Sequence, residues 1–219
     1  MEFSLEQLPA LQRYELLLGT VVPRPIALIT TIGADGLVNA APYSLFNVMS
    51  HDPPIVAVSI LPHPDRRLKD TGRNILATGE FVVNLVSENV AAAMNLTCID
   101  APPGVNELEL ADLETSASMT VAPPRITSCP VSLECILLTS LAFGPDQAIV
   151  LGHVTHAHVA DEFVLDSQRC MIDTSKLQLI GGMHGAKWYA RTWDLFEMIR
   201  PVWAEWQKNR EKRKGQDGG

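Results

Sequence analysis

The chain has 219 residues, 47% of them hydrophobic and 19% charged, with a formal net charge of −8 at pH 7. That length can bury a substantial core, so a single domain over 1–219 is expected and a disordered chain is excluded. The acidic balance excludes general attraction to nucleic acid, and no apolar run approaches the roughly 18 residues that a membrane span needs.

Residues 5–18 read as a short helix in a lead-in of about 1–20 that is too acidic and interrupted to be a signal peptide. "PRPIALITTI" (23–32) is dense in β-branched residues and ends at "GADG", which suits a tight turn; "LVNAAPYSLF" (37–46) returns to complete a hairpin. "PPIVAVSIL" (53–61) is a third strand, with its prolines at the start, where a missing N–H is tolerated. A helix is expected from Asp70, as N-cap, to Gly79, then a fourth strand in "FVVNLVS" (81–87) and a helix over 89–96. Residues 97–126 read as a loop-rich excursion holding a short helix.

"CPVSLECILLTSLAFG" (129–144) and "QAIVLGHVTHAHVA" (147–160) follow as antiparallel neighbours, then a glycine-rich loop over 179–192. A helix is expected from about residue 193 into a basic tail, with Pro201 kinking or breaking it. That tail carries Lys208, Arg210, Lys212, Arg213 and Lys214 against Glu211 and Asp217, the pattern of a solvated helix end. Many strands with few helices between them favour a mainly β, closed antiparallel barrel over a doubly wound sheet. Cys98, Cys129, Cys135 and Cys170 show no CxxC spacing, so reduced thiols and a cytoplasmic location are expected.

Three places carry possible chemistry. The polar break between the second and third strands, with Ser44 and Asn47, is either an ordinary connection or a set of partners for a polar, planar ligand. Ser59, Lys69, Asp70 and Thr71, with Arg66, Arg67 and Arg73 near by, fit either a phosphate at a helix N-terminus or a capped surface helix. Neither GxGxxG opening a helix nor GxxxxGK[ST] occurs, so any nucleotide is held another way. His156 and His158 would share a strand face and His153 the other; with no acidic or cysteine partner nearby in sequence, no metal is expected. Trp188, Tyr189, Trp193, Trp203 and Trp206 either cover a ligand or pack an interface between copies.

"PRPIALITTIGADGLVNAAPYSLFNVMSHDPPIVAVSI" followed by "LKDTGRNILATGEFVVNLV" resembles the flavin reductase-like family, which includes flavoredoxins and the reductase components of two-component monooxygenases. "IVLGHVTHAHV" and "LIGGMHGAKWY" add weaker support. The resemblance implies an FMN-binding split β-barrel, antiparallel and Greek-key-like with peripheral helices. It further implies a homodimer with flavin sites near the subunit interface, FMN (FAD in some relatives) as cofactor, NAD(P)H as electron donor, and a monooxygenase or other redox partner. Carried onto this chain, the ring lies against Ala41, Pro42, Tyr43, Ser44 and Asn47, with Thr30 and Thr31 lining the pocket. Ser59, Lys69, Asp70 and Thr71 match the part of the motif that holds phosphate.

Relatives commonly carry an arginine before the two glycines of the later motif, where this chain has Leu179 and Ile180; Tyr189 remains after Trp188. That departure puts phosphate or nicotinamide contacts from this loop in doubt and leaves His184 and Tyr189 as contacts for a second substrate. The implied activity is hydride transfer from NAD(P)H to flavin, with no catalytic residue assigned because the chemistry belongs to the cofactor. Two alternatives stand beside it. In one, electrons come from a protein partner or the reduced flavin acts on a small molecule; in the other, the barrel binds flavin without turnover.

Overall fold

Strands that are apolar on both faces need cover on both, and this chain supplies it by closing one sheet on itself and laying helices and loops over part of the outside. The computed structural model describes residues 1–63, 67–102, 105–144, 146–185, 187–203, 205–207 and 210. The chain begins with α1 (Ala10–Thr20), β1 (Arg24–Pro25), β2 (Ala27–Ile32), β3 (Val38–Tyr43), β4 (Phe46–His51) and β5 (Pro54–Ile60). Next come α2 (Asp70–Thr78), β6 (Glu80–Leu85), α3 (Ala91–Leu96), α4 (Glu107–Leu110), β7 (Thr115–Ser116) and β8 (Arg125–Ile126). The long strands β9 (Val131–Ala142) and β10 (Ala148–Val159) precede the short β11 (Val164–Asp166), β12 (Met171–Ile172), β13 (Ile180–Gly182) and β14 (Tyr189–Arg191).

The main sheet has seven antiparallel strands in the order β3-β2-β6-β9-β10-β5-β4. Its two ends, β3 and β4, are separated along the chain only by Ser44 and Leu45. One bent segment therefore pairs with β2 on one side and β5 on the other, and the Ser59 N–H donates to Leu45 O at 2.8 Å across the join. Inside this barrel Ile29, Tyr43, Phe46, Val58, Phe81 and Val150 form the main core, with Ile75 of α2 packed among them. A second cluster on the outer side of β2 joins Leu28, Ala40, Val86, Met94, Leu108 and Ile126.

Asn84, fully buried, ties the excursion to the sheet. Its amide donates to Leu28 O at 3.0 Å, and its Oδ1 accepts from Ile126 N–H at 2.9 Å and Ser132 Oγ at 2.8 Å. Glu134 on β9, also fully buried, accepts from the N–H groups of Met119 and Thr120, each at 2.7 Å, and from Thr120 Oγ1 and His158 Nε2, each at 2.6 Å. These charge-assisted bonds hold a loop that buries little apolar surface of its own.

Gly152 is required by packing rather than by backbone freedom: a Cβ there would lie 2.3 Å from Phe81 Cζ. Gly152→Ala is expected to lower stability by about 2–3 kcal/mol through overpacking, read as a lower urea midpoint with an unchanged m-value.

Several expected elements shift. The first helix starts at Ala10 because Pro9 stands at its N-cap and disfavours helical geometry in the residue before it. The second helix has Lys69 as N-cap, with Asp70 as its first residue and Gly79 closing it at φ 76°. The expected glycine-rich loop over 179–192 is instead partly a hairpin, since β13 pairs with both β1 and β14. The helix expected from residue 193 does not form over 193–202; among the described residues helical geometry returns at Trp203, 205–207 and Arg210. Pro201 removes a donor, and Leu195, Phe196, Met198, Ile199 and Val202 are largely exposed, so little burial supports a helix here. Arg66, Lys208 and residues 211–219 lie outside the described residues.

Candidate functional site

Two neighbouring cavities of about 160 and 170 Å³ share Pro42, Tyr43 and Cys98 and so make one elongated cleft. Its floor is the end of β3, where the barrel segment bends from one sheet edge to the other. Proline at position 42 and the bend after Tyr43 interrupt the ladder at this point, which frees backbone groups that a continuous strand would use internally.

One end of the cleft is charged and rich in donors, with Arg67 and Lys69 set among Asp70, Asp100 and Glu107. Lys69, Asp70 and Thr71 line it at the start of α2, together with His63, Arg67 and Asn39. No side chain caps the helix, so the first-turn amides and the positive end of the dipole are available to an anion. Asn39 Nδ2 donates to Thr71 Oγ1 at 2.9 Å, which leaves the hydroxyl proton of Thr71 free to point elsewhere. Asp70 is occupied on its helix, accepting from Arg73 at 2.7 Å. Glu107 closes this end from the excursion, and its Oε2 accepts from Ala40 N–H at 3.1 Å. Burial pushes its carboxyl pKa up; the Ala40 N–H opposes the shift and the charge of Asp70 adds to it.

The other end is walled by aromatic and backbone surface: Tyr14, Ser44, Gly182, Trp188 and Tyr189. His184 stacks on Trp188 with ring centroids 5.9 Å apart, and Met183 N–H donates to Trp188 O at 2.9 Å, closing the turn that carries both rings. Arg24, almost fully buried, binds three elements together here. Its guanidinium donates to Leu18 O at the end of α1, to Met183 O at 2.6 Å and, from Nε, to Ser44 Oγ at 3.5 Å. A cation at the carbonyl end of α1 also answers the helix dipole.

Tyr43 connects the two ends. Its ring packs in the barrel core, while its buried hydroxyl approaches Thr71 without forming a hydrogen bond of acceptable geometry. Burial raises the phenol's pKa, so at neutral pH it remains a proton donor. A buried, unpartnered donor facing a cleft is a strong indication that the cleft takes a polar ligand.

Of the residues expected at the site, Ala41, Pro42, Tyr43, Ser44, Lys69, Asp70, Thr71 and Tyr189 line the cleft. Thr30 and Thr31 do not. Thr30 faces outward and donates to Pro124 O at 2.5 Å, while Thr31 lies behind the cleft wall, accepting from Asn74 Nδ2 at 3.1 Å. Successive strand residues point to opposite faces, so the two threonines could not line one pocket together. Asn47 uses its Oδ1 on the N–H of Val48 at 2.8 Å and borders a separate apolar groove. Ser59 sits on β5 opposite Ile149, outside the cleft, and His184 reaches it only through Trp188.

Arg24, Asn39, Cys98 and Glu107 were not anticipated. Arg24 stands between two prolines at the start of an apolar strand, which was a usable signal; Cys98 and Glu107 come from the excursion, where no periodicity points to a site. The acidic partner of His158, missing from its sequence neighbourhood, is Glu134 on the adjacent strand. Among the described residues no group of His, Cys, Asp and Glu is arranged to hold a metal, the four cysteines are unpaired, and no helix is long and apolar enough to cross a membrane.

A seven-stranded sheet closed by its own bent strand, with a ligand cleft at that bend, defines a split-barrel protein. Residues 18–172 match the family described as flavin reductase like domain, and the chain belongs to that family. The 2-nitrobenzoate 2-nitroreductase of Pseudomonas fluorescens is similar to it at 33% identity and TM-score 0.84, over 93% of this chain and 98% of that one. Nitrilotriacetate monooxygenase component B of Bacillus cereus matches at 31% identity and TM-score 0.84, over 90% and 98%. A Shewanella frigidimarina protein described as having a split barrel domain shares the fold at 19% identity and TM-score 0.77, over 92% and 100%. The family and its reductase relatives support an oxidoreductase that uses a flavin.

Proposed function

We propose that this chain is an FMN-dependent oxidoreductase that accepts hydride from NAD(P)H. The single observation that carries the reading is the polarity of the cleft: Lys69, Arg67 and the free amides of α2 at one end, among three carboxylates, aromatic and backbone surface at the other, and the orphaned Tyr43 hydroxyl between them. This matches a ligand with an anionic tail and a flat, polar ring.

Lys69, Thr71 and the first amides of α2 would hold the phosphate of FMN, and Arg67 adds positive charge at the same end. Ala41, Pro42, Tyr43 and Ser44 would lie along the ring, offering backbone groups at the barrel bend. When bound, the flavin supplies the hydride- and electron-accepting chemistry. The chain's own work is positional. Arg24 fixes Ser44 and the turn at Met183 relative to α1, and Trp188 and Tyr189 shield the ring end from water. Tyr189, at this end of the cleft, would meet a second substrate there, with His184 contributing through its stacking on Trp188.

A second reading has a specific relative behind it. The similarity to 2-nitrobenzoate 2-nitroreductase favours reduction of a small aromatic molecule at the ring end, where Trp188, Tyr189 and Tyr14 provide stacking surfaces. The similarity to a monooxygenase component B favours delivery of electrons to a partner enzyme.

The test is spectroscopic. Purified protein is expected to carry a yellow chromophore that is released as FMN and bleached anaerobically by NADH or NADPH. A colourless protein that gains no absorbance change with FMN or FAD overturns the reading. Bound flavin left oxidised by both nicotinamides moves the activity to a protein electron donor.

A further inference from the structure

We infer, resting on the flavin reading above, that Arg24 is the counter-charge of the reduced ring: it stabilises the negative charge that the bound ring gains with hydride, and so favours the reduced over the oxidised form.

Arg24 is 6% exposed and lines the ring end of the cleft beside Pro42, Tyr43 and Ser44. Arginine is almost never buried this far unless it is paired. Here every acceptor is neutral. Nη1 donates to Leu18 O and, at 3.4 Å, to Val21 O; Nη2 donates to Met183 O at 2.6 Å, and Nε reaches Ser44 Oγ only at 3.5 Å. Among the described residues no carboxylate pairs with this guanidinium. The carbonyl end of α1 offsets part of the charge, since a helix C-terminus is equivalent to about half an elementary charge. The remainder stays uncompensated, and a buried charge in that condition is costly. A ligand that brings negative charge to this end removes the cost.

The guanidinium also has donor capacity to spare. It carries more N–H groups than these contacts use, and one hydrogen on Nη2 meets no acceptor among the described residues. Gly182 keeps the space beside that nitrogen clear, because a Cβ there would lie 3.3 Å from Nη2.

The reaction supplies the missing charge. Hydride leaves the nicotinamide carbon of NAD(P)H with both bonding electrons, the donor becomes a nicotinamide cation, and the neutral ring becomes a monoanion with no further proton exchanged. A fixed cation therefore interacts more strongly with the reduced ring, and charge beside the ring is one of the means by which a protein tunes a flavin. Carbonyls from α1 and from the turn at Met183 hold Arg24 in place beforehand, so the response costs no reorganisation. Among the described residues that line this end, Arg24 alone is charged. Lys69 and Arg67 stand at the other end among carboxylates, where they face the tail.

The test is an anaerobic potential measurement on the full chain loaded with FMN, by reductive titration against a redox dye. The wild-type chain is expected to bind reduced FMN at least tenfold more tightly than oxidised FMN, which raises the midpoint about 30 mV above that of free FMN for a two-electron couple. Arg24→Lys, which keeps the charge, should retain most of that shift; Arg24→Gln should lose it. A role confined to holding Ser44 and the Met183 turn would weaken both redox forms alike in the two variants and leave the potential unmoved, which overturns the inference. So does a shift lost as fully in Arg24→Lys as in Arg24→Gln. A wild-type midpoint at or below that of free FMN overturns it with no variant at all, so the result stands even where Arg24→Gln fails to fold. Failure of the flavin reading is a different outcome, binding of neither redox form to the wild-type chain, and it removes this inference as well.

Discussion

Lys69→Ala combined with Thr71→Val is expected to weaken FMN binding by roughly a hundredfold or more while leaving riboflavin binding unchanged. A charge-assisted hydrogen bond contributes about 1.5–3 kcal/mol, so losing a lysine and a hydroxyl from one phosphate removes enough for that factor. The side chains are well suited to the test. Lys69 lines the cleft at the N-cap without capping its own helix, and Thr71 gives up its acceptance from Asn39 and its approach to the Tyr43 hydroxyl. The structural penalty is about 1 kcal/mol for that neutral bond. Titration by flavin fluorescence quenching separates the two effects, since riboflavin has the ring but no phosphate. Equal FMN affinity in variant and wild type would remove the phosphate assignment.

The largest effect on stability is expected at a residue far from that end. Glu134→Ala leaves the N–H groups of Met119 and Thr120, the Thr120 hydroxyl and His158 Nε2 without their shared acceptor. Stranding several donors around a buried position costs about 3–5 kcal/mol, a large share of a domain's typical 5–15. The melting temperature should fall by roughly 10 °C, with the loop over residues 117–124 the first to become protease-sensitive. Burial alone would raise this carboxyl, but the hydrogen bonds from Thr120, Met119 and His158 outweigh it and bring the pKa from 4.5 to about 2. A depressed folded-state pKa means that the contribution is present above 4.5 and fades as pH falls towards 2. Wild type should therefore lose stability over that window more steeply than the variant. Parallel acid-denaturation curves would show that Glu134 does not carry the effect.

Much of the barrel was legible because its strands obey local rules. The turn at "GADG" is closed by Gly36 at φ 81° and by Asp35 accepting from Leu37 N–H, as the residue types imply. Gly79 ends α2 in the left-handed conformation for the same reason. Of the phosphate group assigned from the motif, Lys69, Asp70 and Thr71 fall together because they are neighbours at one helix start, whereas Ser59 does not join them. Thr30, Thr31 and Asn47 also failed to reach the cleft. Strand alternation sends adjacent residues to opposite faces, and which face is open depends on what packs against it.

The residues missed share one property. Arg24, Asn39, Cys98 and Glu107 come from a proline-flanked strand, the far end of a hairpin, a helix end and a four-residue helix, and they meet only when the excursion folds back over β3. Glu134 and His158 are likewise 24 positions apart and become partners through the pairing of β9 with β10.

Local sequence by itself determined the strand pattern, the turns, the start of α2 and the family. Each of these depends on contacts between near neighbours or on a linear order of residues. Only the tertiary structure decided that β3 and β4 are one bent strand joining two sheet edges, that a buried phenol lacks a partner where the two halves of the cleft meet, and that the last apolar stretch stands off the body. Those outcomes depend on which distant surfaces exclude water from one another, and a linear order of residues does not specify that.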